Sequence, residues 1–437
     1  MGTGRARALG LGLVIAVVGS TTATATARVG AIRETVLGSS RVFYPFGLAS
    51  GPDGNLWFAD SGCTGIGRCA LGRAAPGGAV AEFRRGLDAG SVPLAVAAAS
   101  GGDLWFTDAG SRPAIGRLTT AGSIREFARG LRGGEPFEIA AGPAGGMWFT
   151  VQGRRPAIGL ITPGGRITEY RRGLRRGSIP FGITPGAGGS AWFTDRGCSA
   201  SGRCAIGRVS ATGRITEFTA GLARGAQPLG IARGWGDVVW FADSSGAIGR
   251  VTAGGQISER STGLASGSSP VAIAAGPDGS MWFTDEGATP AIGRITRAGG
   301  VREWQGGLLT GSQPAAITAG PDGRMWFTDE GGLAAIGAVS TGASAALRAR
   351  PAVTAGGGGA LRCAPGRWAR WGGLRPSSRL FAFDGYRWLR DGALIPGGRG
   401  QTFLGPGGAG AHLACAETVT YPAPLTVTVS AASPARG

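Results

Sequence analysis

Residues 270–304 read PVAIAAGPDGSMWFTDEGATPAIGRITRAGGVREW and contain one complete repeat of the chain. Short apolar or aromatic runs alternate in it with turns. The tetrapeptide GPDG at residues 276–279 is typical of a tight hairpin, because proline fixes φ and glycine accepts positive φ. Runs this short and this rich in β-branched and aromatic residues favour strands over helices. We label the four predicted strands A (after the proline), B (Trp-Phe), C (Ile-Gly-Arg) and D (Glu-aromatic).

A Trp-Phe dipeptide marks seven copies of this unit. Its tryptophans lie 42 to 48 residues apart, at Trp57, Trp105, Trp148, Trp192, Trp240, Trp282 and Trp326. A period of about 45 residues with four short strands per copy predicts a seven-bladed β-propeller. Because the aromatic pair recurs in every copy, we interpret it as core rather than as a sugar-binding surface.

The seventh copy lacks strand D. After AIG at residues 335–337 the chain continues AVSTGASAA at residues 338–346, with no Glu-aromatic pair. The segment IRE at residues 32–34 matches strand D of the other copies. We therefore expect an N-terminal strand near residues 31–35 to complete the last blade, which would close the ring and remove an exposed sheet edge.

The N-terminus predicts export. Arg5 and Arg7 precede an apolar stretch at residues 9–18, and Ala-Thr-Ala at residues 25–27 offers a cleavage site, as in signal peptides. The apolar stretch is too short to span a bilayer, and no later segment is long enough. We expect a secreted or cell-envelope protein without a transmembrane segment.

The six cysteines fall into three pairs. They are Cys63 with Cys69, Cys198 with Cys204, and Cys363 with Cys415. An even number of cysteines in an exported chain predicts disulfides. Zinc is the alternative for the two close pairs, but their spacing is not C-x-x-C and no histidine is near. Each close pair would stiffen a loop between strands B and C.

The formal net charge is +18, and the 44 basic residues are all arginine. Such a charge has two interpretations: the protein binds a polyanion, or the composition simply favours arginine on solvated faces. The arginines are spread along the repeats, and no basic tract is interleaved with aromatic residues, which favours the second interpretation. We expect no nucleic-acid partner and a monomeric protein.

Comparison of the seven copies separates scaffold from candidate site. The glutamate of strand D and the arginine of strand C recur, and we interpret them as cross-strand pairs. The aspartate that follows Trp-Phe-Thr or Trp-Phe-Ala recurs as a turn cap. Departures from the pattern predict a ligand-binding face around one mouth of the central channel. They are Asp285, Glu286, Asp329, Glu330, Glu138, Arg154 and Arg155.

The repeat resembles the virginiamycin B lyase, or streptogramin lyase, family. The resemblance rests on Pro-x-x-Ile, Gly-Pro-Asp-Gly-x-Met-Trp-Phe-Thr-Asp/Glu, Ile-Gly-Arg-Ile-Thr and Ile-Thr-Glu-Phe/Tyr, and it covers roughly residues 31–342. It implies an enzyme that opens a cyclic depsipeptide antibiotic, a type B streptogramin, by elimination with magnesium. It also implies a histidine directly after the strand-A proline in the last two blades and a glutamate before the last of these prolines.

This sequence differs from the family pattern at the positions of the implied catalytic residues. The two histidine positions are occupied by Val271 and Ala315, and the glutamate position by Gln313. The acidic residue that the resemblance implies after strand B of the last blade is present as Glu330. Elimination needs a base for the α proton and an acid for the leaving oxygen, which valine and alanine cannot supply. The sequence thus favours a non-catalytic protein that binds a small cyclic ligand, a glycan or a peptide at the mouth. The alternative is a carbon–oxygen lyase in which Glu330 and Glu286 act and magnesium binds.

A second module follows the propeller. Residues 359–432 resemble the Ig-like modules of bacterial exported proteins, which implies Trp388 packed near a Cys363–Cys415 bridge between two sheets. We interpret His412, the single histidine, as structural. The predicted fold class is all-β, with a signal peptide at residues 1–27, the propeller at 28–350, a Gly-rich linker at 351–358, the Ig-like β-sandwich at 359–432 and a tail at 433–437.

Overall fold

Seven four-stranded antiparallel sheets, one for each repeat, make up the body of the computed structural model. The structure describes residues 28–37, 44–62, 69–75, 78–197, 204–320, 322–342, 347–349, 352–355, 360–365, 367–368, 386–390, 393–399, 401–404, 413–420 and 428–434. The seven-bladed propeller predicted from the repeat is confirmed. Within these ranges the helical elements are two 3-10 turns, Pro143–Gly145 and Ala187–Gly189, at the A–B hairpins of blades 3 and 4.

Each blade uses its strands in the order A, B, C, D. Blade 1 comprises Pro45–Ser50, Leu56–Asp60, Ala70–Ala74 and Val80–Phe83. Blades 2 and 3 comprise Pro93–Ala98, Leu104–Asp108, Ala114–Leu118 and Ile124–Phe127, then Glu135–Ala141, Met147–Gln152, Ala157–Ile161 and Ile167–Tyr170. Blades 4 and 5 comprise Pro180–Pro185, Ala191–Asp195, Ala205–Val209 and Ile215–Phe218, then Pro228–Arg233, Val239–Asp243, Ala247–Val251 and Ile257–Arg260. Blades 6 and 7 comprise Pro270–Ala275, Met281–Asp285, Ala291–Ile295 and Val301–Trp304, then Pro314–Ala319, Met325–Asp329 and Ala335–Val339.

The N-terminal segment supplies strand D of blade 7, as predicted. Ile32–Val36 pairs antiparallel with Ala335–Val339, and Glu34 lies opposite Gly337. Strand A of blade 7 also packs against strand A of blade 1. The first and last parts of the propeller therefore close one ring.

A phenylalanine ring lying on a glycine forms the centre of every blade. Phe283 of strand B lies opposite Gly293 of strand C. A Cβ added at Gly293 would lie 2.0 Å from the Phe283 ring, and the corresponding distance is 1.9 to 2.1 Å across the seven blades. All seven phenylalanines are fully buried. The glycine of the Ile-Gly-Arg motif is therefore required by packing, because any side chain there would displace the ring.

The predicted cross-strand pair between the strand-C arginine and the strand-D glutamate is wrong. Glu303 lies opposite Gly293, so Arg294 points to the other face of the sheet. The Arg294 guanidinium lies 5.7 Å from the Trp282 ring centroid and forms an ion pair with Asp278 at 2.7 Å. The arginine thus covers the buried tryptophan instead of neutralising the glutamate.

The strand-D glutamate meets the aspartate at the end of strand B. In blade 7, Asp329 Oδ1 accepts the Gly331 N–H at 2.8 Å, which confirms the predicted turn cap, and Oδ2 accepts the Ser312 hydroxyl. Glu34 Oε2 accepts the Leu309 N–H at 2.6 Å, and Oε1 is buried beside Asp329 with no donor among the described residues. The two carboxyl groups can share a hydrogen bond only when one of them carries a proton.

These carboxyl pairs raise the pKa of their glutamates. Burial, followed by the hydrogen bond to Asp329, raises the pKa of Glu34 to about 8. Burial and a neighbouring aspartate likewise raise the pKa of three further strand-D glutamates to about 7, namely Glu126, Glu217 and Glu259. The propeller therefore holds several buried protons near neutral pH.

The C-terminal part of the described chain is also built of strands. They are Leu347–Ala349, Ala352–Ala355, Leu361–Ala364, Arg367–Trp368, Tyr386–Arg390, Ala393–Arg399, Thr402–Phe403, Leu413–Thr420 and Thr428–Pro434. They form sheets of two, three and four strands. Ala352–Ala355, inside the predicted linker, is instead a strand paired with Leu361–Ala364. The Ig-like assignment itself stays a prediction.

The predicted Cys363–Cys415 disulfide is present. Cys363 belongs to the three-stranded sheet and Cys415 to the four-stranded sheet, so the bridge joins the two. Trp388 is fully buried beside both cysteines. His412 lies outside the described residues.

Deletion of residues 28–37 should destabilise the propeller, because it removes strand D of blade 7 and exposes the edge of strand C. Thermal unfolding followed by circular dichroism should show a loss of at least 10 °C. Arg33→Ser, at an exposed position of the same strand, serves as the control and should unfold as wild type does. An unchanged melting temperature of the deletion variant would show that the ring does not depend on this strand.

Stability should fall as the pH rises from about 5 to 8.5. The Glu34 pKa is raised from 4.5 to about 8, so its contribution is fully present below pH 4.5 and is lost as the pH passes through 8. Glu34→Gln supplies a donor that needs no proton. Its melting temperature should match wild type at pH 5 and exceed it by about 2–4 °C at pH 8.5. Glu135→Gln, an exposed position, is the control; equal pH slopes for wild type and Glu34→Gln would refute the shared proton.

Candidate functional site

The mouth face consists of two kinds of loop, the turns after strand B and the connections into strand A. Their backbones are joined at blade 7, where the Gln313 N–H donates to Asp329 Oδ1 at 2.7 Å and the Glu330 N–H donates to the Gln313 carbonyl at 3.0 Å. This bonding places Gln313, which is exposed, directly beside Glu330. The structure thus brings together two of the predicted site residues.

An acidic corner forms where blades 6, 7 and 1 meet at the mouth. It comprises Glu286, Glu330 and Tyr44. Burial, then the charge of Glu286, raises the pKa of Glu330 to about 8, and a hydrogen bond with Tyr44 opposes the shift. Burial, then the Asp285 charge, raises the pKa of Glu286. The Glu330 charge is the largest cause of a raised pKa at Tyr44.

Glu330 keeps one oxygen free. Its Oε1 is buried and has no hydrogen-bond partner within the described part of the chain. A carboxyl group with a pKa near 8 and a free oxygen can donate a hydrogen bond when protonated and attract a cation when ionised. The acidic corner is therefore suited to a ligand that carries an amine or a hydrogen-bonding group.

Three phenylalanines meet in the central channel. Phe46, Phe137 and Phe181 each follow the strand-A proline, in blades 1, 3 and 4. The Phe46 and Phe137 ring centroids lie 5.6 Å apart, and those of Phe137 and Phe181 lie 4.5 Å apart. Blades 1 and 3 are not neighbours, so these rings meet across the channel. The Arg196 guanidinium lies 5.1 Å from the Phe181 ring centroid.

Val271 and Ala315 occupy the same strand position as these phenylalanines. The same hydrogen bond between neighbouring blades shows that the positions are equivalent. The strand-B threonine of one blade donates to the carbonyl of this position in the next blade, from Thr150 to Phe181 at 2.8 Å and from Thr284 to Ala315 at 2.6 Å. Ala315 is buried and Val271 is half-buried. Beside the acidic corner, the channel wall is therefore apolar at both positions.

Asp285 and Asp329, predicted on the ligand-binding face, lie beneath it. Their side chains are 1% and 0% exposed and are engaged in capping the turns after strand B. Glu138 lies in strand A of blade 3, next to Phe137, and burial raises its pKa to about 7. Asp285 and Asp329 therefore support the turns of the mouth, whereas Glu138 is half-buried in the innermost strand of blade 3.

Arg154 and Arg155 lie elsewhere on the mouth face. Both are exposed in the turn between strands B and C of blade 3. The ring separates them from the acidic corner at blades 6 and 7. The predicted site residues therefore divide into an acidic group and a basic group.

The two short disulfide loops are described only in part. Cys69 and Cys204 are buried and disulfide-bonded. Their predicted partners, Cys63 and Cys198, lie outside the described residues. Both described cysteines immediately precede strand C, which fits loops between strands B and C at the rim.

Sequence comparison missed Tyr44 and the three channel phenylalanines. The signal was available, because aligning the residues on either side of the strand-A proline shows a tyrosine before it in blade 1 and phenylalanine after it in three blades. The alignment could not show their contacts, since Phe46 and Phe137 join blades 1 and 3, and Tyr44 and Glu330 join blades 1 and 7.

The acidic corner supplies two carboxyl groups that could hold a magnesium ion. Mg²⁺ is commonly held by one or two carboxylates, with water and ligand oxygens completing the shell. Glu286 and Glu330 supply two such groups, and the free Glu330 Oε1 is a suitable donor. Nowhere in the described ranges do three or more His, Cys, Asp or Glu side chains form a metal-binding group. The two glutamates therefore fit a weakly held ion.

Known proteins resemble this chain at the level of family and fold. A model of the virginiamycin B lyase family matches residues 30–263 and 260–366. One similar solved structure is a catalytically inactive histidine-to-alanine variant of virginiamycin B lyase from Staphylococcus aureus with quinupristin. It is 30% identical, with 71% of this chain and 99% of that chain covered and a TM-score of 0.62.

Two further structures extend the comparison. A streptogramin B lyase is 31% identical, with 70% and 96% of the two chains covered and a TM-score of 0.61. YCF48 bound to the D1 peptide is 12% identical, with 72% and 96% covered and a TM-score of 0.52, and shares the fold alone. A comparison with curated proteins finds no match. No helix in the described ranges is long and apolar enough to cross a membrane.

Replacement of Glu330 by glutamine should lower the pKa of Tyr44 towards 10.0, because it removes the largest cause of the shift. Tyrosinate absorbance is measured as a function of pH in wild type and in Glu330→Gln. The titration of Tyr44 is obtained by subtracting the curve of the same protein with Tyr44→Phe added. Glu135→Gln is the matched control. An unchanged Tyr44 titration in Glu330→Gln would show that the acidic corner does not form.

Proposed function

The chain belongs to the virginiamycin B lyase family, and we propose that it is an exported ligand-binding protein that retains the family's propeller without its elimination chemistry. The observation that carries this proposal is the pair Val271 and Ala315, which stand where the family resemblance implies two histidines. Both occupy the channel-lining position of strand A, beside Glu286 and Glu330. The propeller is retained while the acid–base groups are not.

The chemistry of elimination supports this conclusion. A base must remove the proton α to a carbonyl while an acid assists the departing oxygen, and each role is commonly worth about 10²–10⁴ in rate. The similar S. aureus lyase is described as catalytically inactive after one histidine-to-alanine change, yet its structure is one with quinupristin. That protein is a precedent for a propeller of this family that holds its ligand without turnover.

The mouth supports a compact ligand with one apolar end and one polar end. Phe46, Phe137 and Phe181 provide an aromatic surface within the channel. Glu330, with its pKa of about 8 and its free Oε1, provides a polar anchor to one side. A cyclic depsipeptide or a short peptide with an aromatic side chain and an amine or amide matches this arrangement.

The location of the protein is part of the proposal. The basic N-terminus, the apolar stretch at residues 9–18 and the A-x-A site support export. The Cys363–Cys415 disulfide supports an oxidising compartment. The ligand would then be met outside the cytoplasm.

A lyase remains the second candidate, favoured by the electrostatic coupling of Glu330 and Tyr44, each of which shifts the pKa of the other. Ionised Glu330 has the basicity to accept a proton at neutral pH, and the Tyr44 hydroxyl can donate one to a leaving oxygen. Glu286 would orient the ligand through its own carboxylate. When bound by these glutamates, magnesium would supply positive charge to a ligand oxygen.

Quinupristin is the probe that separates the two candidates. Purified protein with magnesium should bind it in calorimetry and leave its ring intact. Elimination adds no water, so the linear product keeps its mass and is detected by chromatographic shift and fragment ions. Glu330→Ala and Phe137→Ala should each weaken binding at least tenfold, because each removes one of the two anchors.

Arg297→Ala, an exposed position in a turn between strands C and D on the opposite face, is the control for these variants and should bind as wild type does. Ring-opened product from wild type would overturn the binding proposal in favour of the lyase. Intact quinupristin without measurable binding would remove the cyclic depsipeptide from the proposed ligand class.

A further inference from the structure

The connections from strand D into the next strand A differ sharply in charge. Residues 171–179, between blades 3 and 4, read RRGLRRGSI, whereas residues 261–269 and 305–313 read STGLASGSS and QGGLLTGSQ. The three connections share their length, the Gly-Leu step and a serine near the end. The scaffold therefore does not require arginine at these positions, and blades 5 to 7 show the same loop without it.

Two of the four arginines between blades 3 and 4 serve the fold. Arg171 forms an ion pair with Glu169, and Arg175 pairs with Glu217 at 2.8 Å. Arg172 and Arg176 are exposed and form no ion pair with any described residue. Their charges are thus available to a partner.

The available charges continue across neighbouring loops. Arg171 Nη2 donates to the Arg155 carbonyl at 3.4 Å, so the B–C turn of blade 3 adjoins this connection. Arg154 and Arg155 are exposed on that turn. Arg129 and Arg132 are exposed on the connection between blades 2 and 3. The mouth face therefore carries mainly basic groups along blades 2 to 4, where Glu135 is the exposed carboxyl group beside these arginines, and acidic groups at blades 6 and 7.

We propose that this surface, the arginine arc, binds an anionic polymer with repeating carboxylate or phosphate groups. The arc comprises Arg129, Arg132, Arg154, Arg155, Arg172 and Arg176. An exposed ion pair is worth at most about 1 kcal/mol, so a small anion would not be retained. A polymer that meets several guanidinium groups at once combines these contacts and releases its counterions. The arc would hold the propeller on such a polymer with the mouth beside it.

Binding is tested with fluorescent polyphosphate and poly-L-glutamate as the NaCl concentration is varied. The triple variant R132S/R172S/R176S removes three charges from the arc. Its control, R166S/R214S/R297S, removes three exposed charges from turns between strands C and D, on the opposite face. Melting temperatures establish that both triples fold.

Wild type should bind at least one polymer at 50 mM NaCl, and the polymer that binds identifies phosphate or carboxylate as the preferred group. The arc triple should lose at least tenfold in affinity, and its slope of log K against log salt should shrink by about 2. The control should stay within twofold of wild type. Equal losses in the two triples, or no binding by wild type, would overturn the arc. Quinupristin binding should be unaffected in the arc triple, so the proposed mouth site succeeds or fails separately.

Discussion

The contact between a phenylalanine ring and a glycine fixes the geometry of each blade. The ring fills the space left by the missing side chain of the strand-C glycine. Side chains alternate between the two faces of a strand, so a shift of one residue in the pairing of strands B and C would remove the glycine from beneath the ring. With that register set, the glutamate of strand D lies opposite the same glycine. The aspartate at the end of strand B points to the same face of the sheet as the ring. The buried carboxyl pairs and the arginine–tryptophan contacts are thus two consequences of one packing constraint.

The same constraint leaves the mouth free to vary. Residues on either side of the strand-A proline and just after the strand-B aspartate contribute little to the register. Phenylalanine at the position after the proline gives an aromatic channel in Phe46, Phe137 and Phe181, and Val271 and Ala315 give an apolar wall in blades 6 and 7. The residues at these positions can therefore differ between blades while the phenylalanine–glycine packing stays the same. Family membership and activity are set by different residues of the same repeat.

The sequence predicted most of the fold, because repetition exposes it. The period of the Trp-Phe pair predicted seven blades, and the missing strand D predicted closure by residues 32–34. The arginine–glutamate pairing was wrong because these residues are one position apart in register, and that single step moves a side chain to the other face. Tyr44 was overlooked because its partner Glu330 lies at the far end of the propeller sequence. Only closure of the ring places the two together.

Closure by Ile32–Val36 also imposes an order on folding. This strand and Ala335–Val339 are sheet neighbours but stand about 300 residues apart in the chain. Bringing the ends of such a segment together costs on the order of 5 kcal/mol of chain entropy before any contact is made. Ile32–Val36 is the first strand of the propeller to be synthesised, and it is consequently the last to pair, because its partner Ala335–Val339 is synthesised last. Until then blade 7 presents an open edge, so the interval between synthesis and closure is when the chain is most exposed to pairing with another copy of itself.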